Sequence, residues 1–292
     1  MSLLPLGLSL SIFLAVLAVG MGTCAADLRY LLARPSLLLR TELAMMVLGP
    51  VIAIAVCKLF DLHPAVVVAL VTLSVAPVGA LFAQAMLPLV APGRGGCAHG
   101  LFFASTVLSV VLTPLVVEVI NRLSGSAVHV SPLTVAQIAV GSILVPLFAG
   151  LAIGTWWPAS RRWIAPIQKV SSLLLLVCGL VILALAWRHM GALFREGTVS
   201  AIVLITLLGL AAGHLLGGPD EDDRTVLAFA TVSRHPGVAV AVASLTGEAL
   251  APLGVLLAVL VGELATIPYK QWRKRRLAAP PPTVHGPPTG AH

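Results

Sequence analysis

The chain has 292 residues, of which 59% are hydrophobic and only 10% charged, with a net charge of +7. A water-soluble domain carries about 25% charged residues, so cytosolic and secreted globular folds are excluded, together with disordered and nucleic-acid-binding classes. A polytopic helical membrane protein remains, in which basic residues report orientation and contact anionic membrane lipid.

Nine apolar segments of spanning length follow in chain order. The first, 3–24, has no basic residue ahead of it and no clear small-residue cleavage site, so it reads as a retained span. The others run 41–58, 64–91, 97–121, 132–155, 166–187, 197–217, 223–246 and 250–270. After the ninth, Lys270, Arg273, Lys274, Arg275 and Arg276 form a basic stop before a Pro-rich stretch. Residues 271–292 therefore read as a disordered cytoplasmic tail. Cys24, Cys57, Cys97 and Cys178 are too scattered for a metal site and read as small buried hydrophobes. Trp156, Trp157, Trp163, Trp187 and Trp272 fall near span ends, as in an interfacial aromatic belt.

Nine spans put the termini on opposite sides. With the tail inside, the inner connections hold Arg29, Arg34, Arg40, Arg94, Arg161, Arg162, Lys169, Arg224 and the five tail residues. The outer ones hold only Lys58, Arg122, Arg188 and Arg195. A cytoplasmic C-terminus and an outer N-terminus follow, in a plasma or inner membrane.

The third and eighth segments are interrupted, by Pro77 with Gly79 and by Pro236 with Gly237. Asp61 lies 16 residues before Pro77 and Asp220 16 before Pro236. Paired Pro/Gly interruptions in corresponding spans point to a secondary transporter's binding site, the plainer reading being ordinary helix kinks. Arg234 and His235 stand directly before Pro236, about eleven residues from either end of the span. An Arg at that depth costs about 2.5–3.5 kcal/mol to insert and faces a partner or a cavity. It therefore binds ligand or coupling ion, or caps carbonyls of a neighbouring half-helix.

The stretches MGTCAADLRYLLARPSLLL, ELAMMVLGP, SVAPVGALFAQ, TVLSVVLTPL and TVSRHPGVAVAVAS occur in an order that resembles the bile acid:sodium symporter family. The resemblance covers roughly residues 10–270. It implies an all-α fold of nine transmembrane helices in inverted repeats, with two broken, crossing helices. It also implies a panel domain (spans 1, 5 and 6) and a core domain (spans 2, 3, 4, 7, 8 and 9), with substrate bound between them and moved by alternating access. The residue pattern departs from the family at its sodium sites. Aligning Pro50 puts Met45 where sodium-coupled members have a Gln. Aligning Gly237 puts Ala230 at their Glu, Thr231 and Ser233 at two further ligand positions, Arg234 at a second Gln and His235 at an Asn. After the first break Gln84 is the only amide. The implied function is transport of an organic anion, bile-acid-like or a small carboxylate. The sodium site is degenerate, and Arg234 stands where a cation would bind. No cofactor is implied, and sodium coupling stays open. The alternatives are an uncoupled or proton-coupled carrier, or a ligand sensor or channel on the same scaffold.

Glu42 lies one helical turn before Met45, so it either pairs with Arg234 or snorkels to the interface beside Arg40. Glu263, expected mid-span, and His235 are candidate proton carriers. His99 and Glu118 read as interfacial, near Arg94 and Arg122. The run Asp220, Glu221, Asp222, Asp223 lacks the spacing of a calcium loop and reads as a solvated helix cap. No HExxH, GxSxG, P-loop or paired intramembrane Asp motif suggests an enzyme.

Overall fold

The computed structural model of the chain describes residues 3–24, 29, 33–79, 82–92, 95–124, 131–194 and 197–278. Among them all regular elements are helical, apart from one bridge between Val78 and Arg234. Six helices are long and apolar enough to cross a membrane: Pro35–Leu59, Ala98–Ile120, Pro132–Trp156, Pro158–Ile182, Thr198–Leu216 and Ala251–Ala278. The chain is a multi-pass α-helical membrane protein. Its surface suits lipid: Val51, Val111, Leu115, Leu173 and Leu180 are each more than half exposed.

The helices are α1 (Leu3–Gly22), α2 (Pro35–Leu59), α3 (Pro64–Val75), α4 (Phe82–Met86), α5 (Gly95–Ser124) and α6 (Pro132–Trp156). They continue as α7 (Ile164–Leu193), α8 (Thr198–Leu216), α9 (Glu221–Val232), α10 (Pro236–Ser244), α11 (Ala251–Ala265) and α12 (Ile267–Ala278). The third apolar segment is thus divided into α3 and α4, and the eighth into α9 and α10.

Two groups of helices form. In one, α1 packs along α6 and α7. Glycines let these backbones meet: a Cβ on Gly150 would overlap Leu17 O, one on Gly154 would overlap Met21 O, and one on Gly20 would overlap Leu147 O. Ser11 and Ser171 exchange hydrogen bonds, each Oγ donating to the other's carbonyl at 2.8 Å. Close approach and such bonds hold helices together in lipid, where apolar burial gives no driving force. In the other group, α3 packs on α2, α10 and α11, while α8 packs on α2, α9 and α11. The helix α5 touches both groups, through α2 and α6.

One end of the molecule is closed by charge. Asp220 caps α9, its Oδ1 accepting the Asp222 and Asp223 N–H groups. The acidic run is a cap as expected, but it is not solvated: Asp222 and Asp223 are buried. Arg273 Nη1 and Nη2 reach Glu221 at 2.6 Å and Asp222 at 2.5 Å, and Arg34 Nη1 reaches Asp223 at 2.9 Å. Arg273 Nε also donates to Leu89 O at 3.1 Å. The expected tail therefore begins too early. Residues 271–278 continue a helix and Arg273 is buried, because the carboxylates of α9 supply a partner that a free tail would lack. Residues 279–292 lie outside the described residues. Removing one member of a buried ion pair costs about 3–5 kcal/mol. Arg273→Ala is expected to lower the thermal midpoint, and Arg273→Ala with Asp222→Asn to recover part of the loss. Equal midpoints for wild type and Arg273→Ala in the same detergent would refute this clasp.

Candidate functional site

Each break starts with the same local rule. A residue before proline is pushed out of the helical region, and both Ala76 and His235 are extended. Pro77 follows the end of α3. Pro236 instead opens α10, where its missing N–H is no loss. The two extended stretches lie antiparallel. Gly79 N–H donates to Ser233 O and His235 N–H donates to Pro77 O, both at 2.8 Å. Irregular backbone at membrane depth must be satisfied inside protein, and here each break satisfies the other. A Cβ on Gly79 would lie only 3.1 Å from Arg234 O, so the close pass needs glycine.

Arg234 is buried, 7% exposed, and its guanidinium joins three segments. Nε donates to Thr231 O at 2.9 Å, Nη1 to Ala76 O at 3.1 Å and Nη2 to Met45 O at 2.7 Å. All three are carbonyls that helix geometry leaves free. Thr231 is at the C-terminal end of α9 and Ala76 at that of α3. Met45 lies in a π-helical turn of α2, Leu43–Leu48, in which Gly49 N–H bonds Ala44 O five residues back. The next bond in that register would run from residue 50 to Met45 O, and Pro50 has no N–H. Arg234 supplies the missing donor. Gly49 makes room for it, since a Cβ there would lie 2.7 Å from Nη2. Another carbonyl at the end of α3, Val75 O, accepts Thr113 Oγ1 at 3.1 Å.

A guanidinium has five N–H groups, and three are engaged. Arg234 also lines a cavity of about 80 Å³, whose polar lining further includes Ser74, Thr206, Thr231, Glu263 and Thr266. The rest of the wall is apolar, from Ile52 and Leu73 to Ile205 and Val259.

The other expected site residues fall as follows. His235 is buried, and its Nδ1 accepts Val238 N–H at 3.4 Å to cap α10. His63 does the same for α3, accepting Ala65 N–H at 3.1 Å. Pro77, Met45 and Ala230 are buried, and Met45 contributes its carbonyl rather than its side chain. Thr231 Oγ1 is turned back onto Leu227 O. Gly237 meets α1: a Cβ there would overlap Ile12 Cδ1. Gln84 lies in α4, and its side chain is outside the described residues. Glu263 lies within the spanning stretch Ala251–Ala278. It sits near the C-terminal end of α11, its side chain is 52% exposed, and it pairs with Lys270 at 2.9 Å.

A direct Arg234–Glu42 ion pair is not formed. Glu42 is 7% exposed, and neither carboxylate oxygen has a hydrogen-bond partner. The carbonyls win because they belong to the segments that meet Arg234 at the crossing, whereas Glu42 is one turn removed. Glu118 pairs with Arg122 at 2.6 Å on the exposed face of α5, as an interfacial residue would.

The sodium bile acid symporter family model matches residues 9–192, well over half of the chain. The chain belongs to this family. A curated relative, the probable sodium/metabolite cotransporter BASS1, chloroplastic, of Arabidopsis thaliana, is 24% identical over 206 residues. The match takes in 69% of this chain and 49% of the relative, so the chain spans about half the length of that protein. The first break lies inside the stretch matched by the sodium bile acid symporter family and the second lies beyond it. The second break is therefore tied to the first by geometry, through the Val78–Arg234 bridge.

Three contributors escaped the sequence reading. Gly49 carries no signal apart from its position before Pro50. Arg273 was hidden in a basic run. Ser105 of α5 is buried with its hydroxyl unpartnered, and a lone Ser in an apolar helix gives no warning of this.

Proposed function

We propose that this protein is a secondary transporter for an organic anion, working by alternating access at the paired breaks. The observation that carries the reading is Arg234, whose guanidinium ties three free carbonyls together and which stands in the wall of a cavity. A fixed cation in that place suits an anionic ligand group. The cavity volume favours a small carboxylate over a steroid-sized substrate. Arg234, Met45, Ala230, Thr231, Ser233 and His235 occupy the positions where sodium-coupled members of the family carry their ligands. Arg234 then does the structural work of a sodium ion, and the crossing itself takes none. Gln84, Pro77, Gly79, Pro236 and Gly237 complete the crossing.

The six spanning helices, together with α1 and the two divided segments, make nine spans in inverted repeats. The group α1, α6 and α7 is the panel, and α2 to α5 with α8 to α11 form the core. Arg34, Arg224 and Arg273 gather at the end closed by the α9 carboxylates, which supports a cytoplasmic face there and an outer N-terminus.

Proteoliposomes holding the full chain test the reading. Saturable uptake or exchange of a labelled small carboxylate from a mono- and dicarboxylate panel is expected, with Arg234→Lys reducing it at least tenfold. Binding without flux would overturn the carrier reading in favour of a sensor.

A further inference from the structure

A second cavity, of about 180 Å³, lies at the charged end of the molecule and shares no wall residue with the one beside Arg234. Arg224 stands in its wall from α9, Arg273 and Arg276 from α12, and His214 from α8. Glu221 is the one carboxylate among these lining residues, and Arg273 Nη1 already holds it at 2.6 Å. Arg273 also pairs with Asp222 and donates to Leu89 O, so its charge is balanced within the clasp. Arg224 and Arg276 differ. Arg224 Nε donates to Gly218 O, and neither arginine is held by a carboxylate among the described residues. Trp272 supplies an aromatic side to the same wall. Its ring meets that of His214 at 5.8 Å, and the Arg276 guanidinium carbon lies 5.6 Å from its centre, a cation–π distance. Solvated surface arginines have no reason to gather around one cavity, because like charges repel. Two that do so from different helices, without carboxylates of their own, point to an anion as the missing partner.

The planar fork of a guanidinium matches the oxygens of a phosphate group. The position of the cavity says where such a group comes from. Leu215, next to His214 at the end of the spanning helix α8, is 81% exposed, and Trp272 is also exposed. Apolar surface for lipid, an indole and arginines therefore meet at the end of the spans, the depth at which headgroup phosphates lie. We infer that Arg224 and Arg276, with the cavity between α8, α9 and α12, form a binding site for the phosphate of an anionic phospholipid. The bound phosphate bridges α9 to α12 in addition to the Arg273 clasp, and so braces the half-helix that leads into the second break. The site stands whether or not the paired breaks carry an organic anion.

The test uses the full chain in a nonionic detergent, with the thermal midpoint read as phosphatidylglycerol, phosphatidylcholine or inorganic phosphate is added at equal ionic strength. Phosphatidylglycerol is expected to raise the midpoint by several degrees and phosphatidylcholine by much less. Arg224→Gln with Arg276→Gln should abolish that difference. Lys274→Gln with Arg275→Gln removes the same charge from residues outside the cavity wall and should preserve it. Arg276→Gln alone, at an exposed position, should weaken the apparent affinity for phosphatidylglycerol roughly fivefold. It serves as the test should the Arg224 variant fail to fold. Equal midpoints of the wild type in the two lipids would overturn the site and leave the reading of the paired breaks standing. A difference that survives Arg224→Gln with Arg276→Gln would overturn it too, as would one lost equally in both double variants, the mark of general charge attraction. Inorganic phosphate matching phosphatidylglycerol would keep the phosphate site and overturn the lipid as its source.

Discussion

Replacing Arg234 by Met is expected to lower the thermal midpoint by at least about 6 °C and to abolish flux. Three buried carbonyls, at Met45, Ala76 and Thr231, lose their donors at once. Each costs about 1–3 kcal/mol when left unpaired, and about 2–4 °C accompanies each kcal/mol in a chain of this class. Arg234→Lys keeps the charge, but its compact ammonium lacks the planar fork that reaches three segments. It should recover about half of the midpoint. The comparison separates charge from geometry: a Lys variant as stable as wild type would show that the positive charge alone suffices. A Met variant with an unchanged midpoint would refute the carbonyl-capping role altogether.

A methyl group at Gly150 is expected to be nearly as damaging, although nothing at that position is polar. The Cβ would run into Leu17 O, and the backbone of α1 cannot yield without losing its own helical bonds. Overpacking typically costs about 1–3 kcal/mol, and here the obstacle is main chain rather than a flexible side chain. Gly150→Ala and Gly20→Ala should each lower the yield of folded protein and the midpoint. Gly179→Ala, on α7 with open space around it, should be neutral or slightly stabilising. Fluorescence-detected size-exclusion after a heat step would rank the three, and equal ranking would sink the close-packed α1–α6 contact.

The spans could be read from apolar runs because lipid demands them, and the breaks because proline and glycine act locally. The meeting of the two breaks was implied by the family resemblance. What composition could not convey was which groups the breaks set free. That Met45 would matter through its carbonyl depends on a π-helical turn, a shift of one residue in hydrogen-bond register with no side-chain signature. The Glu263–Lys270 pair joins α11 to α12 and depends on a continuation of the helix that composition does not show. Arg273 reads as one of a solvated basic run because its burial depends on the carboxylates of α9, some fifty residues away in sequence. Glu42 stands out in the sequence, but the partner expected for it, Arg234, is committed to backbone carbonyls.

The proline at position 50 has a mechanical consequence. By withholding one donor from α2, it leaves a single carbonyl that Arg234 can hold, and a slide of α2 by even one residue would present a satisfied carbonyl in its place. The segments ending at Ala76 and Thr231 are held by the same guanidinium. These three pieces of chain are therefore held in one register. In the proposed transport cycle the give must then fall outside this lock, and the contact of Ile12 with Gly237, a flexible side chain against bare backbone, is one such place.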